Sequence, residues 1–130
     1  MKMNDIADQI YDYLATKHAR VYRNKSPQSP VYPYVVFRLD SVVNTLPSED
    51  LYLNIDIYES PDVSVRAIET IADTIDGDGL TATGLNMRVI NTTGFALRFI
   101  REQRQWIGSG DLINAQMINM RYVLRAYFKN

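Results

Sequence analysis

Residues 51–59 read LYLNIDIYE, the stretch that decides the predicted fold. Every second side chain from Leu51 to Ile57 is aliphatic, whereas the residues between them are polar or tyrosine. This period of two is typical of a β-strand that buries one face and leaves the other accessible. The pattern therefore predicts a half-buried strand over residues 51–59.

The segment before it, VYPYVVFRL at residues 31–39, is nearly continuous apolar and aromatic sequence. It predicts a strand over residues 34–43 with both faces at least partly covered. Pro33 lacks an N–H group and suits the entrance of this strand better than its middle. Because only TLPSED, a predicted turn at residues 45–50, separates the two strands, we expect them to be antiparallel neighbours.

Helical spacing of apolar residues predicts one helix before and one helix after this strand pair. Asn4 or Asp5 is expected to cap the first helix, Ser60 or Asp62 the second, and Gly77 to end the second. The apolar stripe of the first helix comprises Ile6, Ile10, Tyr13 and Leu14. The apolar stripe of the second comprises Val65, Ile68, Ala72 and Ile75.

The remaining sequence completes an α-β-β-α-β-β order. Residues 95–106 and 115–128 carry strand patterns, RNKSPQSP at residues 23–30 predicts an exposed loop, and residues 80–94 show no clear period. We therefore predict one α+β domain over residues 1–130. It has two layers, an antiparallel four-stranded sheet with both helices on one face.

The composition fits a soluble globular domain, with 46% apolar and 22% charged residues in a chain of 130. The chain has no cysteine, which excludes disulfides, thiolate nucleophiles and cysteine-based zinc sites. Asp5, Asp8 and Asp12 interrupt what would be the apolar part of a signal peptide. No apolar run approaches the roughly 18 residues of a membrane span. We expect a protein kept in the cell or released as part of an assembly.

Charge is segregated along the chain although the net charge is only −1. Residues 40–85 carry ten acidic residues and one basic residue, whereas residues 86–130 carry seven basic and two acidic. Two interpretations stay open. The acidic and basic segments lie beside each other within one subunit, or one face of each subunit meets an oppositely charged face of the next.

Motifs for catalysis, metal binding and cofactor binding are weak. His18, the one histidine, lies near the end of the first helix, where the helix dipole suits its positive form and an ordinary surface role explains it. GDGLTA at residues 77–82 matches a dinucleotide fingerprint but follows a helix rather than a strand. Asp76 and Asp78 would supply only two ligands of a calcium loop. We therefore predict no cofactor, no metal and no enzyme activity.

Two further patterns bear on catalysis and nucleic-acid binding. Asp56 with Asp40 or Glu59 would form an acid–base pair only if one carboxylate were buried, and a polar strand face is usually solvated. Five arginines with Trp106 and Tyr127 suit contact with phosphates and bases. The chain is slightly acidic overall, which favours pairing of these arginines with an acidic surface. They are Arg98, Arg101, Arg104, Arg121 and Arg125.

The order of these segments resembles the tail terminator or tail completion proteins of tailed bacteriophages and prophages, also called neck or head-to-tail joining proteins. The resemblance covers roughly residues 31–128. VYPYVVFRLDSV leads into a turn and LYLNIDIYES, the helix PDVSVRAIETIADTIDG follows directly, and two late strands close the chain. The most specific parts are Tyr32-Pro33-Tyr34-Val35 and residues 51–77.

The resemblance implies a structural virion protein without catalytic residues, whose copies form a ring, commonly a hexamer. The ring caps the tail tube, stops its polymerisation and docks to the head connector, with DNA at most passing through its lumen. Such a protein assembles in the host cytoplasm and stays in the virion. The alternative is a non-enzymatic α+β binding or regulatory module unrelated to virion assembly.

A closed ring needs two different surfaces that meet. Charge predicts that the acidic region 49–62 faces the arginine-rich hairpin 98–125 of the neighbouring subunit. The predicted interface residues are Glu49, Asp50, Asp56, Glu59, Arg98, Arg101, Arg104, Arg121 and Arg125, with Tyr32 and Tyr34 as further candidates. The loops 23–30 and 105–114 are predicted to dock to the tube or the connector. Their candidate residues are Lys25, Gln28, Trp106 and Asp111.

Overall fold

The computed structural model describes residues 3–45, 48–80, 83–108 and 115–129, with the backbone alone for residues 42–45. These residues form two helices and six strands. The helices are α1, Met3–Ala15, and α2, Val65–Asp76. The strands are β1, Val21–Arg23; β2, Tyr34–Thr45; β3, Ser48–Glu59; β4, Val89–Asn91; β5, Phe95–Ile107; and β6, Gln116–Phe128. Neither described helix is long and apolar enough to cross a membrane.

The strands form one mixed sheet in the order β1-β2-β3-β6-β5-β4. β1 runs parallel to β2, and every other neighbouring pair is antiparallel. In the centre of the sheet, Ile55 of β3 lies opposite Phe37 of β2 on one side and Met120 of β6 on the other. The predicted α+β class is confirmed, whereas the prediction of four wholly antiparallel strands is wrong.

Two short edge strands account for that difference. β1 and β4 have three residues each, too few to display a period of two. Val21 pairs with Val35 of β2, and Ile90 pairs with Leu97 of β5. Both segments are strands because each pairs with a long neighbouring strand. Local sequence carries little information about such pairing.

The core lies between one face of the sheet and the two helices. The aliphatic side chains of β3 predicted to face inward, from Leu51 to Ile57, are 0% exposed. Ile10 of α1 and Ile68 of α2 belong to the same cluster of buried residues. The alternation in β3 and the helical stripes therefore describe one continuous core, as the sequence predicted.

Several predicted boundaries need correction. The predicted cap residues Asn4, Asp5, Ser60 and Asp62 are all wrong. α1 begins ahead of its two candidates, and α2 begins after Ser64, whose hydroxyl accepts a hydrogen bond from Arg66 N–H at 3.2 Å. Val65 was expected in the buried stripe but is 45% exposed. It is the first residue of α2, at the exposed end of the helix. β3 begins at Ser48, so much of the predicted turn 45–50 is strand.

Candidate functional site

The candidate site is the face of the sheet turned away from both described helices, which we call the open face. Its side chains alternate with the core residues along the four long strands. It includes Tyr34, Val36, Arg38 and Asp40 of β2; Asp50, Tyr52, Asn54, Asp56 and Tyr58 of β3; Met117, Asn119, Arg121, Val123, Arg125 and Tyr127 of β6; and Ala96, Arg98, Ile100, Gln103, Gln105 and Ile107 of β5. It combines charged, tyrosine and aliphatic side chains on one surface.

Oppositely charged groups on the open face pair within the chain. Arg125 of β6 donates two hydrogen bonds to Asp50 of the adjacent β3, at 2.6 and 3.0 Å. This contact lowers the pKa of Asp50 and raises that of Arg125. Arg121 donates to Glu102 at 2.8 Å, and its guanidinium lies 4.9 Å from the centre of the Tyr52 ring. The Asp50–Arg125 pair joins the acidic segment 40–85 to the basic segment 86–130, so the interpretation that these segments neighbour each other within one subunit is confirmed for this pair.

The arginines of the predicted basic hairpin do not share one face. Strict alternation would place Arg98 and Arg104 on one side of β5 and Arg101 on the other. A β-bulge after Arg101 shifts the register, so both later arginines turn toward α2 while Arg98 stays on the open face. Arg101 donates to Asp76 at 2.9 Å, and Arg104 donates to Asp73 at 2.8 Å.

A buried carboxylate at the end of α2 joins this helix to the sheet. Asp76 is 3% exposed and accepts a hydrogen bond from the Tyr122 hydroxyl at 2.5 Å, besides the one from Arg101. Burial and the adjacent carboxylate raise the pKa of Tyr122 far above its ordinary value. Both oxygens of Asp76 are engaged, which argues against the calcium-loop pattern. In the described part of the chain, no group of three or more histidine, aspartate or glutamate side chains is placed to hold a metal ion.

The acidic interface candidates divide between the two faces. Asp56 lies on the open face, where burial raises its pKa and Asn119 donates to it at 2.6 Å. Glu59 is 5% exposed, lies on the core side and accepts from the next backbone N–H at 2.8 Å. Glu49 accepts from the Ser41 hydroxyl at 3.0 Å. Because Asp56 and Glu59 point to opposite faces, they do not form an acid–base pair.

Four tyrosines cover the end of the open face near the start of β2. Tyr34 is 8% exposed and stacks on Tyr58 and Tyr32, with ring centres 4.9 and 5.7 Å away. Tyr22 approaches it edge-on at 6.2 Å. Burial raises the pKa of both Tyr34 and Tyr58. The predicted coverage of both faces of this strand is confirmed, and Tyr34 keeps little surface for a neighbouring subunit.

The candidate docking loops are described in part. Lys25 and Gln28 are exposed in the connection between β1 and β2. Trp106, near the end of β5, is 45% exposed and donates from Nε1 to the side chain of Gln116 at 3.1 Å. Asp111 lies outside the described residues. Docking through these four residues stays a prediction.

The residues of the weak motifs have structural roles. His18 is partly exposed and accepts at Nδ1 from the backbone N–H of Arg20 at 3.1 Å, and burial lowers its pKa. Gly77 ends α2 as predicted, with a φ of 76° that favours glycine. A Cβ at this position would lie 2.2 Å from the backbone nitrogen of Gly84. The helix-ending turn therefore explains this glycine without a nucleotide.

No protein-family model matches the chain, and no curated protein shows significant similarity to it.

Proposed function

We propose that this protein is a structural virion protein of a tailed bacteriophage or prophage, whose copies form a ring that caps the tail tube and joins the tail to the head. The observation that carries the proposal is the open face. Four strands of 12 or 13 residues display it on the side away from the described helices. A ring subunit needs wide surfaces for its neighbours, and such a sheet supplies one.

Exposed apolar side chains lie among the charged ones on this side of the sheet. Ile100 and Tyr127 are each 41% exposed, and Val89 on the neighbouring β4 is 52% exposed. Specific protein interfaces combine an apolar centre with a polar rim, and clustered exposed apolar groups mark interaction sites. This mixture supports contact with another protein.

The resemblance in sequence pattern supports the same role. Its most specific parts, residues 32–35 and 51–77, correspond to the entrance of β2 and to most of β3 and α2. We assign as partners further copies of the chain in a hexameric ring, the tail tube protein and the head connector, with DNA at most passing through the lumen. The protein assembles in the host cytoplasm, remains in the virion and acts without enzymatic activity, metal or cofactor.

Electron microscopy of the purified protein mixed with its tail tubes tests this proposal. We expect rings in the free protein and added density at one end of each tube. An equal amount of an unrelated protein of similar size serves as the control. A protein that stays monomeric and leaves the tube ends bare favours the alternative, a non-enzymatic binding or regulatory module.

A further inference from the structure

Arg98 on the open face lies next to another positively charged side chain of the same sheet. It lies on β5 directly opposite Arg125 of β6. Like charges in facing cross-strand positions destabilise a sheet. Asp50 offsets the charge of Arg125, whereas Arg98 has no salt-bridge partner among the described residues. The sheet therefore keeps an unfavourable exposed arginine at this point.

The surroundings of Arg98 form a shallow recess of about 230 Å³. Its lining consists of Arg98, Ile100, Val123, Arg125 and Tyr127. Two of these side chains are cationic, two are aliphatic, and one is an amphipathic tyrosine. An acidic protein surface with some apolar area complements such a lining in both charge and polarity.

α1 carries the opposite imbalance on the other side of the molecule. Asp8 and Asp12 are exposed and stand four residues apart, a spacing at which like charges destabilise a helix. Within the described part of the chain, neither has a salt-bridge partner. Helical periodicity turns both away from the buried Ile10, and the neighbouring Tyr11 is 45% exposed. α1 thus presents an acidic stripe with an aromatic side chain beside it.

We infer that the acidic stripe of α1, formed by Asp8 and Asp12 with Tyr11, docks into the Arg98 recess of a second copy of this chain. Each surface supplies the charge that the other lacks, so one contact relieves both like-charge pairs. The two surfaces lie on opposite sides of the subunit, so the contact is heterologous. It repeats from copy to copy and closes into a ring when the rotation between copies permits.

This contact differs from one between the acidic region 49–62 and the hairpin 98–125. The open-face residues of both regions lie side by side, and Asp50 already pairs with Arg125 in the same chain. Contact between two copies through that single surface is face to face and two-fold rather than head to tail. The inference rests on the proposed function, because it names the surfaces through which the subunits of the ring meet.

Sedimentation velocity of the full chain at low and high salt tests the inference. Arg98→Glu and Asp12→Lys are each expected to weaken self-association roughly three- to tenfold. The double variant is expected to regain most of the lost affinity, because its charges are complementary again. Salt is expected to weaken wild-type association, since exposed charges are screened.

Two exposed positions outside both surfaces supply matched controls. Arg66→Glu on α2 and Asp62→Lys before it change the net charge by the same amounts. Both are expected to associate like the wild type. Thermal melting by circular dichroism checks folding, and alanine replaces the reversed charge at any position where the variant melts early.

The possible results distinguish failure of this inference from failure of the proposed function. If both surface variants associate as tightly as the wild type while rings still form, the inference is overturned and the proposed function stands. A wild type that stays monomeric even with tail tubes contradicts both. If Arg98→Glu loses affinity for a short DNA duplex but keeps self-association, the recess binds phosphate and the inference is overturned.

Discussion

Two arginine–aspartate pairs in this sheet show how burial changes the role of the same chemistry. Asp76, the last residue of α2, pairs with Arg101 of the sheet, and Tyr122 is a third partner. The Asp76 side chain is 5% exposed and that of Arg101 is 34% exposed. Asp50 and Arg125 lie on the open face, where their side chains are 23% and 50% exposed. The first pair connects a helix to the sheet, whereas the second remains accessible to another molecule.

The difference follows from solvation. A buried charge that loses its partner has no water to replace it, so breaking a buried pair is costly. An exposed pair exchanges its partner for water and salt with little loss. We therefore expect folding stability to depend on the covered side of the sheet, and assembly to depend on the open face.

The largest expected effect is at Asp76. Asp76→Ala removes a partner from the buried Tyr122 hydroxyl and from Arg101, and we expect a loss of about 3 kcal/mol in the free energy of unfolding. Urea denaturation measures it. Asp73→Ala is the control, because its side chain is 69% exposed and meets Arg104 near the surface. It should cost less than about 1 kcal/mol. Equal losses at the two positions would contradict the claim that burial makes the contacts of Asp76 more important for stability.

A smaller effect is expected from removal of one hydroxyl. Tyr122→Phe leaves the ring in the core and takes one hydrogen bond from Asp76, which should cost about 1–2 kcal/mol. Tyr127→Phe on the open face is the matched control, and its unfolding curve should overlay that of the wild type. A wild-type curve for Tyr122→Phe would mean that the buried contact contributes nothing.

The smallest expected effects concern pH and two aspartates of β3 on the same face. Burial raises the pKa of Asp56, so its contribution to stability is complete below the ordinary aspartate pKa and is lost as pH rises through the raised value. Arg125 lowers the pKa of Asp50, so its contribution is present above the ordinary pKa and is lost as pH falls through the lowered value.

Replacing each aspartate with asparagine should change stability in opposite directions. Relative to the wild type at neutral pH, Asp56→Asn should gain a little stability and Asp50→Asn should lose a little. Both differences should shrink in acid, where the wild-type carboxylates become protonated. NMR titration of the two carboxyl carbons checks the order directly, and a lower pKa at Asp56 than at Asp50 would refute it.

The sequence predicts the elements that bury one face over several residues. The alternation from Leu51 to Ile57 is long enough to identify β3 and its inward face. Tyr122 belongs to the inward set of β6 in the same way, and a buried tyrosine hydroxyl calls for a partner. The requirement for a hydrogen-bond acceptor is therefore the one sequence signal for the Tyr122–Asp76 contact. It does not identify which carboxylate accepts the hydrogen bond.

The rest depends on register and pairing. Arg104 is misplaced by simple alternation because one bulge after Arg101 changes which residues face α2. Segregation of acidic and basic residues along the chain also wrongly suggests that they occupy separate faces of the subunit. β3 and β6 are antiparallel neighbours, so acidic and basic side chains such as those of Asp50 and Arg125 interleave on a single surface.

The growth of tail tubes tests the central claim most directly. Tail tube protein is polymerised with increasing amounts of this chain, and tube lengths are measured by electron microscopy. The proposed function predicts that mean length falls as the protein is added and that the shortened tubes carry a ring at one end. Tubes of unchanged length with bare ends, at every ratio of the two proteins, would contradict it.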